Sequence, residues 1–77
     1  MRLFLVEFLD EGLSEYWKAP TENQLRNAID AEYPHTNWYS VEIEEITDKA
    51  GSVFAGGVPL IRAANQELAE TAYLGTP

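Results

Sequence analysis

Polar and apolar residues alternate at two different periods along this chain. From Leu3 to Leu9 the period is two: Phe4, Val6 and Phe8 share one face, and Leu3, Leu5, Glu7 and Leu9 share the other. Both sets are bulky and mostly apolar, which predicts a strand covered on both sides and central in its sheet. Asp10-Glu11-Gly12 is a turn signal, and Leu13–Ala19 follows at hairpin distance. Tyr16 and Trp17 favour a strand there, and Pro20 stops it. The period then changes. Thr21-Glu22-Asn23-Gln24 has the form of a capping box, and Leu25, Ala28, Ile29 and Tyr33 lie on one helical face that Pro34 closes. Period two returns over Trp38–Thr47, with Tyr39, Val41 and Ile43 against Ser40, Glu42 and Glu44. Asp48–Gly51 reads as a turn, Ser52–Ala55 as a short strand pairing back, and Gly56-Gly57 as a reversal. From Pro59, the stripe Leu60, Ile61, Ala64, Leu68 and Ala72 predicts a second helix with Gly75 as its cap.

These elements predict an α+β fold, in the order β-β-α-β-β-α. A four-stranded, mostly antiparallel sheet would carry two helices on one face. Strand order is left open. The 77 residues suit a single compact domain, 1–77, with one modest core. A composition 45% hydrophobic and 12% aromatic is too rich for a disordered acidic tail. The opening apolar run is too short for a signal peptide, and no stretch approaches a membrane span. Absence of cysteine excludes disulfides and thiol-based metal or redox chemistry. The expectation is a soluble, complete protein of a reducing cytoplasm, off the membrane.

Charge changes the picture most. Thirteen acidic residues against five basic ones give a net charge of −8. Such a field repels nucleic acid and anionic membrane and attracts basic protein surfaces. If the Phe4 set faces the helices, the opposite face gathers Leu3, Leu5, Glu7, Ser40, Glu42 and Glu44, with Glu11, Glu15, Glu32 and Glu45 around its rim. Carboxylates two residues apart on a strand lie roughly 7 Å apart. A groove of Lys and Arg built for a phosphate backbone could accept them. The bland alternative is that the glutamates are solvent-side residues that keep the chain soluble and blunt its sheet edges.

Other constellations carry less chemistry. His35 is the only histidine, and no nucleophile frame surrounds Ser40 or Ser52. The acids of Asp30/Glu32 and Glu42/Glu44/Glu45 match no calcium loop, so neither a metal nor a cofactor is expected. Gly56-Gly57 lacks a phosphate-loop pattern. In each of the pairs Tyr16-Trp17 and Trp38-Tyr39, neighbours point to opposite faces. Trp17 or Trp38 is therefore a candidate anchor for a protein partner. The Ala-rich face of the second predicted helix would suit a homodimer.

Tyr16-Trp17-Lys18-Ala19-Pro20-Thr21, then Ala28 to Tyr33-Pro34, then Val41-Glu42-Ile43 spell a strand, a capped helix ending in Tyr-Pro, and a strand. Over roughly the first 47 residues this resembles the small β-β-α-β proteins borne by bacteriophages and mobile elements, anti-CRISPR and other anti-defence inhibitors among them. The resemblance is architectural. It implies a non-enzymatic inhibitor that occludes a basic nucleic-acid-binding site of a host complex, in the host cytoplasm, without itself binding nucleic acid. The expected contact residues are Glu7, Glu15, Trp17, Trp38, Glu42, Glu44 and Glu45, with Leu3 or Leu5 as a further anchor. The alternative is a self-associating structural or accessory module whose acidity only solubilises it.

Overall fold

A computed structural model of the protein describes residues 1–64. The hairpin forms where the alternation predicts it. Strand β1 (Arg2–Phe8) pairs antiparallel with β2 (Leu13–Ala19), with Phe4 opposite Trp17 and Val6 opposite Glu15. The turn closes through Glu11 N–H to Phe8 O at 3.1 Å, and Gly12 takes φ 62, a left-handed conformation that a side chain would strain. Strand β3 (Val41–Glu45) pairs antiparallel with the other side of β1, and β4 (Ile61–Ala63) runs parallel to β2. The order is β3-β1-β2-β4, so β1 is central, as its two apolar faces require. The fold is α+β, and the sheet is mixed: two of its three pairings are antiparallel, as expected for most of it, and the third, β2 with β4, is parallel.

Helix α1 (Glu22–Glu32) starts where the Thr21 side chain accepts the Gln24 N–H at 3.1 Å. It stops at Tyr33, whose N–H reaches Ile29 O at 2.7 Å just before Pro34. Leu25 and Ile29 are fully buried and pack on Phe4, Val6, Phe8, Trp17 and Ala19. This is the first core.

The chain builds a second core on the opposite face. Leu3 is fully buried there under Ile46, Ala50 and Phe54, with Leu5, Tyr16 and Ile61 packed around them. Tyr16 and Phe54 meet edge to face at 5.0 Å between ring centres. This arrangement overturns the expected turn at Asp48–Gly51 and strand at Ser52–Ala55. A 3₁₀ turn (Thr47–Lys49) leads instead into a short helix, α2 (Ala50–Val53). The reason is spacing. Ile46, Ala50 and Phe54 recur every four residues and would share a face in either form, but a strand would spread them over roughly 26 Å, whereas winding at about 1.5 Å per residue gathers all three over Leu3. A strand would separate Phe54 from its neighbours. The two helices among the described residues, α1 and α2, therefore cover opposite faces of the sheet.

Where the second helix was expected to start, the chain is extended. After Gly57 at φ 136, the chain extends through Val58, Pro59 and Leu60 and then enters β4. Leu60 is 86% exposed, whereas Ile61 joins the second core and Arg62 lies on the α1 side, opposite Trp17. Alternation, rather than helical winding, satisfies both residues. The remainder of that prediction, from Leu68 through Ala72 to the Gly75 cap, lies outside the described residues. Of the Ala-rich surface proposed for a homodimer, Ala63 belongs to β4 and Ala64 packs against the first core, while Ala69 and Ala72 lie outside the described residues.

Two cores in so short a chain leave neither with much reserve. Phe54→Ala should remove roughly 3–5 kcal/mol of stability, read by urea denaturation. An unchanged midpoint would mean that this face of β1 is not packed.

Candidate functional site

The side chains nominated from sequence divide between the two faces of the sheet. On the α2 side, β1 and β3 bring Glu7 directly opposite Glu42, with Glu44 beside Leu5. Hydrogen bonds from Leu9 N–H to Ser40 O and from Ile46 N–H to Leu3 O, both 2.8 Å, fix this register. They place Glu7 and Glu42 in a hydrogen-bonded pair of the ladder, whose Cα atoms lie about 5.5 Å apart. Like charges directly opposite oppose pairing. Among the described residues no ion pair engages either carboxylate, and Lys49 engages Glu44 instead, at 2.8 Å. Glu44 in turn raises the Lys49 pKa. Leu3, nominated as an anchor with Leu5, is buried beneath α2, and Leu5 is half-buried beside it.

Glu45 belongs to the other face, opposite Phe4, so it does not extend the acidic strip. Arg2 donates to it at 2.6 Å and Thr47 at 2.8 Å, and these bonds hold the carboxyl below its ordinary range. Both nominated tryptophans are poor anchors. Trp17 is 2% exposed. Trp38 is half-buried against the first core, with the Arg26 guanidinium 5.3 Å above its ring. Among the described residues the aromatic that faces solvent is Tyr39, expected to share a face with Val41 and Ile43. Residues Trp38–Ser40 form a 3₁₀ turn, capped by Asn37 Oδ1 accepting the Tyr39 N–H at 3.2 Å. That winding breaks the alternation one step before β3 begins and turns Tyr39 outward.

Glu15 is likewise removed from the acidic surface. Its side chain is 14% exposed, on the α1 face, and three donors converge on it. Trp17 Nε1 reaches Oε1 at 2.9 Å, while the Tyr33 hydroxyl at 2.6 Å and Arg62 at 3.2 Å reach Oε2. Arg62 also donates to the Tyr33 hydroxyl at 2.6 Å and to Glu32 at 2.5 Å. Its guanidinium stands 4.8 Å from the Trp17 ring centre and 5.6 Å from that of Tyr33. Glu32, first, and the other neighbouring negative groups raise the Arg62 pKa against the effect of burial. Glu15 also raises the Tyr33 pKa, because the hydroxyl must remain protonated to donate to the carboxylate. Sequence reading missed this cluster. Its signals were Tyr33, read only as part of the helix end, and Arg62, to which no role was given.

Beside the cluster lies a cleft of about 380 Å³, lined by Phe8, Leu13 and Val41 below and by Asp10, Glu11, Glu32, His35 and Asn37 among others. His35 thus does reach a concave site. No hydrogen bond joins it to Ser40, whose hydroxyl contacts Asn37 at 3.2 Å. Among the described residues no group of three or more His, Cys, Asp or Glu could hold a metal ion. No helix there is long and apolar enough to cross a membrane.

Comparison with protein families, with curated protein sequences and with solved structures yields no match to this chain.

The Tyr33 hydroxyl gives a test of the cluster. Its pKa is raised above the ordinary 10.0. The stability it contributes is therefore full below about pH 10 and lost as pH rises through the higher folded value. Tyr33→Phe should cost roughly 1–3 kcal/mol at neutral pH and remove that part of the alkaline loss. Urea midpoints measured from pH 8 to 11 decide it. An identical alkaline limb in both proteins would dissociate Tyr33 from Glu15.

Proposed function

We propose that this chain is a non-enzymatic binding protein whose acidic sheet face docks on a basic protein surface, of the kind that otherwise grips a nucleic-acid backbone. The observation that carries this reading is the Glu7–Glu42 pair, set directly opposite each other and joined by no ion pair among the described residues. Its repulsion weakens the ladder, and a basic partner would turn that cost into attraction.

The distribution of cations supports the same reading. Arg2, Arg26, Lys49 and Arg62 are each engaged by a carboxylate of their own chain. They therefore do little to offer an approaching partner a positive patch. Glu42 and Glu44 project from alternate positions of one strand, roughly 7 Å apart, a separation that an array of Lys and Arg can span. Attraction of this type is long-ranged and weakens with salt. The narrower form of the proposal, which follows from the resemblance of the first 47 or so residues, is an inhibitor of a nucleic-acid-handling defence complex.

The placement of the carboxylates selects the variant. Glu44 and Glu45 are tied to Lys49 and Arg2, so the residues to change are Glu7 and Glu42. The Glu7→Gln/Glu42→Gln double variant should be more stable than the parent by roughly 0.2–1 kcal/mol, and yet lose its partner. Immobilised parent and variant, exposed to a bacterial lysate and washed with rising salt, provide the comparison. The parent should retain nucleic-acid-handling proteins at low salt and release them as salt rises, and the variant should retain none. Equal retention by both overturns the proposal.

A further inference from the structure

We propose that the cleft at the C-terminal end of α1 receives an arginine side chain of a partner protein. This inference rests on the cleft alone and stands apart from the acidic sheet face.

The cleft, about 380 Å³, falls within the ~300–1,000 Å³ range typical of ligand sites. Its chemistry is divided. Phe8, Leu13, Pro34 and Val41 give it apolar walls, while Asp10 and Glu11 enter from the β1–β2 turn and Glu32 from the helix end. An apolar stem carrying a cationic head matches both parts, the stem on the walls and the head among the carboxylates.

The backbone adds to the negative field. A helix C-terminus carries partial negative charge, ordinarily offset by a basic residue in the last turn. The last turn of α1 has none, and Glu32 stands there instead. Arg62 neutralises this end in part through Glu32 Oε1, but it also serves Glu15. Glu32 remains 49% exposed. Asp10 Oδ2 is held by Asn37 Nδ2 at 3.1 Å, which fixes the side chain and adds no charge. A concave, low-dielectric wall concentrates such a field.

Guanidinium fits better than a bare ion. No three-ligand metal group is assembled among the described residues. Carboxylates that enter from two different elements suit a planar head with donors in several directions. The surroundings indicate a protein rather than free arginine. Leu9, Leu13 and Tyr39, next to or among the lining residues, are 54%, 41% and fully exposed. They offer apolar area that a side chain alone would leave wet and a protein surface would cover.

The test is a titration of the isotope-labelled chain, followed by amide NMR, with the capped peptide acetyl-Leu-Arg-Leu-amide. The control is the same peptide with neutral citrulline in place of arginine. Expected are saturable shifts confined to residues 8–13 and 32–41 with the arginine peptide and none with citrulline. Glu11→Gln, alone or with Asp10→Asn, should weaken binding at least tenfold, while Glu7→Gln/Glu42→Gln leaves it intact. Equal response to citrulline, shifts centred on Glu42 and Glu44, or full binding by Glu11→Gln in a folded protein would each overturn the assignment. Failure here with partner capture intact would sink the cleft and leave the sheet face standing.

Discussion

A half-hidden carboxylate governs how the elements of this protein meet. Glu15 points toward α1 from the middle of β2, where an isolated charge would be costly. Trp17, Tyr33 and Arg62 satisfy it, one from its own strand, one from the end of α1 and one from β4. The bonds thereby fix three relations at once. They set where α1 ends over the sheet, which way the last described strand runs, and which of its side chains turns inward. A short parallel strand of three residues has little pairing energy of its own. Arg62 supplies what the ladder lacks, by charge and by stacking on Trp17. The cluster also has a vulnerable side, because removal of one partner leaves the others desolvated and unmatched.

Around that cluster the sheet is clad on both faces. The first core is conventional, an amphipathic helix laid over alternating aromatic and aliphatic residues. The second is built from a 3₁₀ turn and one turn of α-helix, which bring Ile46, Ala50 and Phe54 over Leu3. Cladding explains why β1 is apolar on both sides up to Leu5 and acidic only at Glu7. It also confines the open part of that face to the end nearest the hairpin turn, where Glu7 and Glu42 meet.

Local patterns were legible in the sequence where local physics decides them. Thr21, the Leu25/Ile29 stripe and Tyr33-Pro34 marked α1 at both ends, and the period of Leu3–Leu9 located the central strand. The α+β class followed, and so did the count of four strands, although the fourth was expected at Ser52–Ala55 and lies at Ile61–Ala63. Two places could not be read this way. At Asp48–Ala55, turn residues and a β-branched Val53 imitate a hairpin, and only Leu3, more than 40 positions earlier, selects the helical winding. At Leu60–Ala64, apolar spacing satisfies helix and strand alike. The choice belongs to Tyr16 and Trp17, whose two faces Ile61 and Arg62 complete. The candidate site followed the same rule. Parity alone placed Glu7 with Glu42, but Glu15 has its decisive partner 47 residues away. Its burial was therefore invisible to any local pattern. Trp38 and Tyr39 were misread because a 3₁₀ turn shifts the phase just before β3.

Strand β3 lies at one edge of the described sheet, and three of its five residues are glutamate. Register with β1 turns the backbone groups of Ile43 outward, where another strand could in principle attach. A second copy of the same segment, however, would set a row of carboxylates against its own like. The edge thus discriminates by sign of charge. It discourages stacking of identical molecules at the concentrations where bare edges begin to form fibres, and it does so with the same side chains that make this flank of the molecule anionic.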